Sequence, residues 1–220
     1  TERKLSDFYK LALDTARRNR EGIAPVSPLL KEIESAKGRK GIHALQLKYA
    51  KIGLGQPFGS FFGADDKNVT RNVLQLYQGG LTLGQKDWYV NNDEATVKIR
   101  NAYKKHLEKM FALYGFDAKA AKNKAATVFR FETELALISK SNTELRDPQA
   151  NYNKMTLKDF EANYPNIHLA QLAKAEGIDE SCIQEMIVGQ PAFFNGLDKL
   201  EALLTASEWK ALMEWDIINA

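Results

Sequence analysis

The chain has 220 residues, of which 44% are hydrophobic, 10% aromatic and 27% charged, fractions that are ordinary for a folded domain. These fractions exclude a mainly disordered chain, and 14 glycines and 6 prolines without a period exclude collagen-like and low-complexity classes. The net charge of +3 is too small to indicate nucleic-acid binding, and no apolar run approaches the roughly 20 residues of a membrane helix.

The charge is unevenly distributed along the chain. Residues 1–60 carry a net charge of +6 and residues 61–140 carry +4, whereas residues 141–220 carry −7. One interpretation is a basic front that packs near an acidic back. The other, which we favour from the sequence, is a set of ordinary solvated helix faces.

The first fifty residues predict three helices. Apolar residues at spacings of three and four between Glu2 and Asn19 indicate one amphipathic helix with a single apolar stripe. Pro28 suits the first position of a short second helix that ends at Gly38. The third helix has apolar positions at Ile42, Leu45, Leu47, Tyr49 and Ile52.

A glycine-rich stretch and a hairpin follow. Residues 53–63 hold glycines at a spacing that fits neither a P-loop nor a dinucleotide fingerprint, so we expect no phosphate-binding role. Alternating apolar residues predict a small antiparallel pair, Phe58–Phe62 with Asn72–Gln78, around the turn Asp65-Asp66-Lys67-Asn68. In that turn, carboxylates would accept hydrogen bonds from backbone amides rather than act as paired catalytic acids.

The remainder of the chain reads as helical. Two long helices, Glu94–Tyr114 and Ala118–Ser139, would form the spine of the domain, and Thr156 is a predicted N-cap with Asp159 three residues on. We therefore predict a mainly α fold: one multi-helix domain over residues 1–220 with a small antiparallel β-hairpin near residues 58–78. Further helices are predicted at 168–176, 180–187, 191–203 and 206–218.

Residue patterns alone give no catalytic and no metal site. The three histidines, His43, His106 and His168, lack H-E-x-x-H or any other zinc-ligand spacing, and we interpret them as ordinary side chains. Cys182 has no evident partner base, so we predict a buried structural thiol. No G-x-S-x-G elbow occurs, and the basic-plus-aromatic repetition of a nucleic-acid platform is missing.

Two long motifs nevertheless resemble one family. The segment FFGADDKNVTRNVLQLYQGGLTLGQKDWYV and the segment ETELALISKSNTELRDPQANYNKMTLKDF are similar to ordered motifs of the neprilysin and endothelin-converting-enzyme family of zinc endopeptidases. The opening helix with Tyr9, followed by Pro28-Leu29-Leu30, fits the same family. The resemblance covers nearly the whole chain. The motif residues that carry it are Gly63, Asp65, Asp66, Lys67, Asn68, Asp87, Tyr89, Arg146, Asp147, Pro148, Tyr152, Asn153, Lys154 and Met155.

We expect these motif residues to be structural. Gly63 and the Asp-Asp-Lys-Asn turn would join two strands, and Asp66 is expected to contribute more to stability than a typical surface residue. Asn153 would bond backbone groups where the chain re-enters a helix, and Lys154 would pair with a carboxylate. Residues that bind substrate cannot be assigned from the sequence.

The resemblance implies a two-lobed helical peptidase in which one lobe carries zinc and the other caps an enclosed chamber that admits peptides. This chain resembles part of the N-terminal capping lobe, and it lacks both H-E-x-x-H and the downstream glutamate segment. We therefore expect an inactive piece, truncated at both ends, with no cofactor of its own and zinc in the intact enzyme. Its partners would be the missing catalytic lobe and peptide substrates.

The alternative is a helical peptide- or protein-binding module without peptidase activity. The lack of paired cysteines favours a bacterial member over the disulfide-rich animal ones. By resemblance, the parent protein is expected to be exported, that is periplasmic, cell-surface or extracellular, although this chain shows no signal segment.

Overall fold

A computed structural model describes residues 2–220 and confirms the mainly α fold class. Helices dominate the order of elements, and four short strands form one small sheet. The α-helices are α1 (Glu2–Leu13), α2 (Thr15–Glu21), α3 (Ser27–Ser35), α4 (Gly38–Ala50), α5 (Asp87–Val90), α6 (Glu94–Leu113), α7 (Ala118–Ile138), α8 (Leu157–Asn163), α9 (Leu169–Glu176), α10 (Pro191–Leu203) and α11 (Ala206–Asn219). The strands are β1 (Phe58–Asp65), β2 (Asn68–Gln78), β3 (Lys154–Thr156) and β4 (Glu185–Val188).

The sheet contains the predicted hairpin and two strands that were not predicted. Its order is β1-β2-β4-β3, with β1 antiparallel to β2, β2 parallel to β4, and β3 antiparallel to β4. The hairpin is longer than predicted, because pairing runs from Phe58 opposite Gln78 to Asp65 opposite Asn68. β4 therefore lies inside the sheet, between β2 and β3. β2 precedes β4 by more than a hundred residues, whereas β3 precedes it by about thirty.

The predicted helix at 180–187 is wrong. Residues Glu180–Ile183 form a single 3₁₀ turn, and Glu185–Val188 form β4. Met186, Ile187 and Val188 are all buried, at 0%, 3% and 0% exposure. A short apolar run that is buried on every side lacks the alternation that identifies a half-exposed strand, so periodicity does not distinguish it from a helix.

The two long helices form the predicted spine. Asp93 and Asp117 cap α6 and α7, because each side chain accepts a hydrogen bond from the amide three residues on. Thr156 caps α8 in the same way, as predicted, through the Asp159 amide. The core runs between α6, α7, α10 and α11, where Leu107, Phe111, Val128, Leu135, Phe193 and Leu197 are fully buried.

The beginning of the chain departs from the prediction. The helix expected over Glu2–Asn19 is divided at Asp14, whose carboxylate accepts from the Arg17 amide and starts α2. Neither α1 nor α2 has a buried residue, and the predicted apolar stripe is exposed, for example at Phe8. Gly38 begins α4 rather than ending α3, which already ends at Ser35.

Two single-residue predictions are also corrected. Cys182 was predicted to be buried but is exposed, because its segment forms a 3₁₀ turn instead of the predicted helix. Ile52, expected on the buried face of the third helix, is 60% exposed beyond the end of α4. Among residues 2–220, no helix has the length and apolarity required to cross a membrane.

Candidate functional site

The structure brings the two sequence motifs together around one buried carboxylate. Asp65, at the end of β1, is only 1% exposed. Its Oδ1 accepts hydrogen bonds from the Lys67 amide and the Tyr152 hydroxyl, each at 2.9 Å, and its Oδ2 lies 3.4 Å from the Lys154 ammonium. Lys67 belongs to the hairpin motif, whereas Tyr152 and Lys154 belong to the second motif. The motifs are therefore two halves of one junction.

Basic side chains extend this junction across the sheet. The Lys154 ammonium lies between Asp65 and Glu185, at 3.3 Å from the Glu185 carboxylate, as the predicted pairing required. Arg71 contacts the same Glu185 carboxylate at 3.1 Å. The Lys67 ammonium lies over the Tyr152 ring, 4.2 Å from its centroid, a cation–π contact. Alternating charges thus connect β1, β2, β3 and β4.

The junction favours the charged form of Asp65. The Lys67 amide lowers the pKa of Asp65 most, and the Tyr152 hydroxyl and Lys154 lower it further, while burial opposes them. Glu185 and Asp65 together raise the pKa of Lys154. Both shifts favour the charged forms and therefore favour the ion pair between Asp65 and Lys154.

The turn itself depends on Asp65 rather than Asp66. Asp66 is exposed and its side chain makes no hydrogen bond or ion pair within residues 2–220, so no contact there supports the stabilising role predicted for it. Asn68 accepts a hydrogen bond from the Thr70 hydroxyl at 2.7 Å. A Cβ at Gly63 would come within 2.7 Å of the Phe61 ring, so a larger residue there would displace that exposed side chain.

Asn153 fixes the next step of the second motif. Its side-chain amide donates to the Val188 carbonyl at 3.0 Å, and its backbone carbonyl accepts from the Val188 amide at 2.8 Å. The predicted bonding to backbone groups is confirmed, although it joins β3 to β4 before the helix α8 begins. Met155, two residues on, packs partly buried against the core opposite Met186.

The Arg-Asp-Pro part of the motif forms a turn. The Asp147 carboxylate accepts from the amides of Gln149 and Ala150, at 2.9 and 3.0 Å, on the far side of Pro148. Arg146 is exposed and makes no side-chain hydrogen bond within the described chain. The turn therefore orients the segment that leads to Tyr152 without presenting an evident binding group.

A polar network next to this turn was missed by the sequence analysis. The Gln78 side chain exchanges two hydrogen bonds with the backbone of Lys140, at 2.8 and 3.0 Å, and the Gln78 backbone N–H donates to Oε1 of Gln190. The side chains of Gln190 and Lys140 both donate to Oδ1 of the Asn151 side chain. Amides distant in the chain carry no spacing signal, so only the fold reveals this connection between β2, the segment after α7 and the residue before α10.

Tyr89 of the first motif leads to a second buried carboxylate. Glu132 on α7 is 3% exposed and accepts from the hydroxyls of Thr82, Tyr89 and Tyr103, at 2.6 to 2.9 Å. Burial raises the pKa of Glu132, although the three hydroxyls oppose that shift. Asp87, the other motif residue of α5, makes no side-chain hydrogen bond in the described part of the chain.

The arrangement offers no evident chemistry of its own. Within residues 2–220, no three His, Cys, Asp or Glu side chains are placed to hold a metal ion. The rings of His43 and His168 lie 4.7 Å apart, while His106 packs edge-on against Trp215 at 6.1 Å. No nucleophile contacts a histidine base among the hydrogen bonds of residues 2–220.

Comparison with known proteins identifies the family that carries these motifs. The chain matches the model of the N-terminal region of peptidase family M13 over residues 1–220. It is 31% identical over 169 residues to Neprilysin-3 of Drosophila melanogaster, covering 72% of this chain and 22% of that protein. It is 33% identical over 130 residues to an endothelin-converting enzyme homolog of Locusta migratoria, covering 59% of this chain and 17% of that protein.

Solved structures agree with this match. The chain superposes on the zinc metalloprotease Zmp1 of Mycobacterium tuberculosis in complex with an inhibitor, with a TM-score of 0.84 and 25% identity. That superposition covers 93% of this chain and 31% of Zmp1, and the chain spans less than a quarter of the curated relatives described above. The sequence motifs, the fold and the family model agree, and the chain therefore belongs to the N-terminal region of peptidase family M13.

Proposed function

We propose that this chain is the non-catalytic lobe of a zinc metalloendopeptidase that cleaves peptides, and that it forms one wall of an enclosed substrate chamber and limits substrate size. The observation that carries the proposal is the family match over residues 1–220. It is supported by the arrangement of residues 2–220, in which no group of three His, Cys, Asp or Glu side chains could hold a metal ion. Zinc and the general base would come from the catalytic lobe of the same polypeptide.

The junction around Asp65 supports a role as a rigid wall. The hairpin, the Tyr152–Met155 segment and β4 are connected by hydrogen bonds and ion pairs rather than by one loop. A wall that excludes folded proteins must keep its shape while peptides enter and leave. We place the parent protein outside the cytoplasm, in the periplasm, at the cell surface or secreted, as a bacterial member of the family.

Zinc content of the purified 220-residue chain, measured by elemental mass spectrometry without chelator, tests the first part of the proposal. We expect zinc far below one ion per chain, and one tightly bound zinc per chain would overturn the assignment. Cleavage by the full-length protein tests the second part. Peptides should be cleaved and a folded protein of matched sequence should resist, whereas equal cleavage of both would remove the size-limiting role.

The same full-length experiment separates the proposal from a binding module. A protein that binds peptides without cleaving them, with zinc supplied, would favour the module. Cleavage that a chelator abolishes and zinc restores would favour the peptidase.

A further inference from the structure

The outer side of β1 is a free edge of the sheet. In the strand order β1-β2-β4-β3, β1 pairs with β2 on one side, and no strand lies on its other side within residues 2–220. Residues 60–62 are exposed, with Phe61 at 50% and Phe62 at 44% exposure. An exposed strand edge presents a row of main-chain N–H and C=O groups on which another strand can pair.

The register of the hairpin identifies the main-chain groups that point outward. The Gln78 amide and the Leu76 carbonyl form hydrogen bonds with the two residues that follow β4, so both point away from β1. Their partners in β1 are Phe58 and Ser60. In an antiparallel ladder, pairs of this kind alternate with pairs that bond to each other. The N–H and C=O groups of Ser60, and those of Phe62 two residues on, therefore point to the free edge.

This edge lacks the features by which proteins usually prevent the addition of a strand. Those features are charged side chains, proline and bulges. No charged residue and no proline lies between Phe58 and Ala64, and the irregularity in the pairing comes later, between Ala64 and Asp65. The main chain of Ser60 and Phe62 is therefore open to pairing.

A small pocket opens beside the same edge, between β1 and α9. Phe58 and Ser60 line it from the strand, and apolar side chains that include Leu172 and Ala173 line it from the helix. Glu176, exposed at the end of α9, is the one charged side chain that the described chain contributes to its lining. The volume of about 30 Å³ is close to that of one water in the liquid, so the pocket suits a small side chain and excludes an aromatic ring.

We propose that the outer edge of β1 binds an extended peptide, which adds to the sheet as an antiparallel strand and places a small side chain in the pocket beside α9. Residues directly opposite each other in such a ladder point to the same face, so the peptide residue opposite Ser60 faces the pocket. Main-chain hydrogen bonds then supply affinity, and the pocket selects the side chain. The inference rests on the proposed function, which supplies peptides as the class of ligand.

Charge complementarity favours a basic peptide over a second copy of this chain. A residue two positions from the small one points to the same face, where a lysine or arginine would pair with Glu176. The edge of a second copy offers no basic residue for this pairing, because Phe58–Ala64 holds no charge at all. The expected ligand is therefore an extended segment with a small residue flanked at two positions by basic ones.

Fluorescence anisotropy of labelled peptides with the 220-residue chain tests the proposal. The peptide Thr-Lys-Thr-Ala-Thr-Lys-Thr, blocked at both ends, should bind saturably, and replacing its alanine by tryptophan should weaken binding at least about tenfold. N-methylation of the alanine removes an N–H that faces β1 and should also weaken binding at least about tenfold. N-methylation of the next threonine, whose N–H faces away from β1, is the matched control and should have little effect.

Two protein variants locate the site. Glu176→Gln should weaken binding of the lysine peptide about two- to fivefold, as expected for an exposed ion pair, whereas Glu108→Gln, exposed on α6, should bind normally. Ser60→Pro removes an N–H that points to the free edge, where proline is tolerated, and should abolish binding without preventing folding. If this variant does not fold, the two N-methylated peptides still decide the question.

The proposal is overturned if the parent peptide does not bind saturably, or if the two N-methylated peptides bind equally. A dimer that sedimentation detects and that Ser60→Pro dissociates would assign the edge to a second copy instead. Binding by the 220-residue chain but not by the full-length protein would assign it to the remainder of the polypeptide. The measurement uses neither zinc nor cleavage, so its failure is distinguishable from failure of the peptidase assignment.

Discussion

Replacing Asn153 by alanine isolates the connection between the second motif and β4. The change removes the side-chain donor that lies 3.0 Å from the Val188 carbonyl but keeps the backbone bond at 2.8 Å. Val188 is 0% exposed, so water does not readily replace the lost donor. A buried acceptor left without its partner costs about 1–3 kcal/mol, and we expect Asn153→Ala to lower the free energy of unfolding by about 2 kcal/mol.

Urea unfolding followed by tryptophan fluorescence measures this loss directly. For a chain of this size, about 2 kcal/mol corresponds to a fall of about 4–8 °C in Tm. Asn195→Ala is the matched control, because Asn195 is exposed on α10 and its side chain makes no hydrogen bond within residues 2–220. The control should stay within about 0.5 kcal/mol of the parent. Equal losses in the two variants would show that the Asn153 bond does not hold the sheet.

Three further substitutions test separate parts of the fold by thermal melting. Asp65→Asn should lower Tm near neutral pH much more than Asp66→Asn. The pKa of Asp65 is lowered in the folded state, so the stability that its carboxylate contributes is lost as the pH falls through that pKa. The Tm of the variant should therefore approach that of the parent in acid. Tyr103→Phe should cost about 1.5–3 kcal/mol by removing a donor to buried Glu132, while Tyr77→Phe, an exposed control, should be neutral. Gly80→Ala should cost at least about 1 kcal/mol, because φ is +75° and a Cβ would lie 2.9 Å from Leu135; an unchanged Tm would contradict the strained backbone.

Periodicity predicted the long elements well and the short ones poorly. The helices α6 and α7 carry buried residues at helical spacing over five or more turns, so their pattern has few competing explanations. The strand β3 has three residues and β4 has four, and both exist because β2 supplies a pairing edge. Pairing between segments about a hundred residues apart leaves no periodic trace in either segment. The helix α1 shows a different limit. Its apolar spacing correctly predicted a helix, but the spacing does not say whether any other element packs on the apolar stripe, and the stripe is exposed.

The candidate site was predictable as two motifs but not as one junction. The sequence placed carboxylates in the hairpin turn and a pairing role at Lys154, and the structure supplies Asp65 and Glu185 as the partners. It did not distinguish Asp65 from Asp66, because the difference is a matter of which side chain faces Tyr152. Adjacent residues at a strand end point to opposite faces, so only the register of β1 decides which carboxylate is buried.

Part of the uneven charge of the sequence is used in ion pairs between α7 and α11. Helices α3 and α4 of the basic front pack against α11 and α9 of the acidic back, as the first interpretation has it, but the ion pairs of α11 reach α7 in the middle of the chain. Arg130 contacts Glu208, and Lys124 contacts Glu214, which is only 2% exposed. Burial raises the pKa of Glu214, and Lys124 opposes that shift. A carboxylate buried so deeply requires a fixed cation, because removing one partner of a buried pair leaves an uncompensated charge. These two ion pairs join α7 to α11, while the basic residues of the first sixty stay largely in solvent.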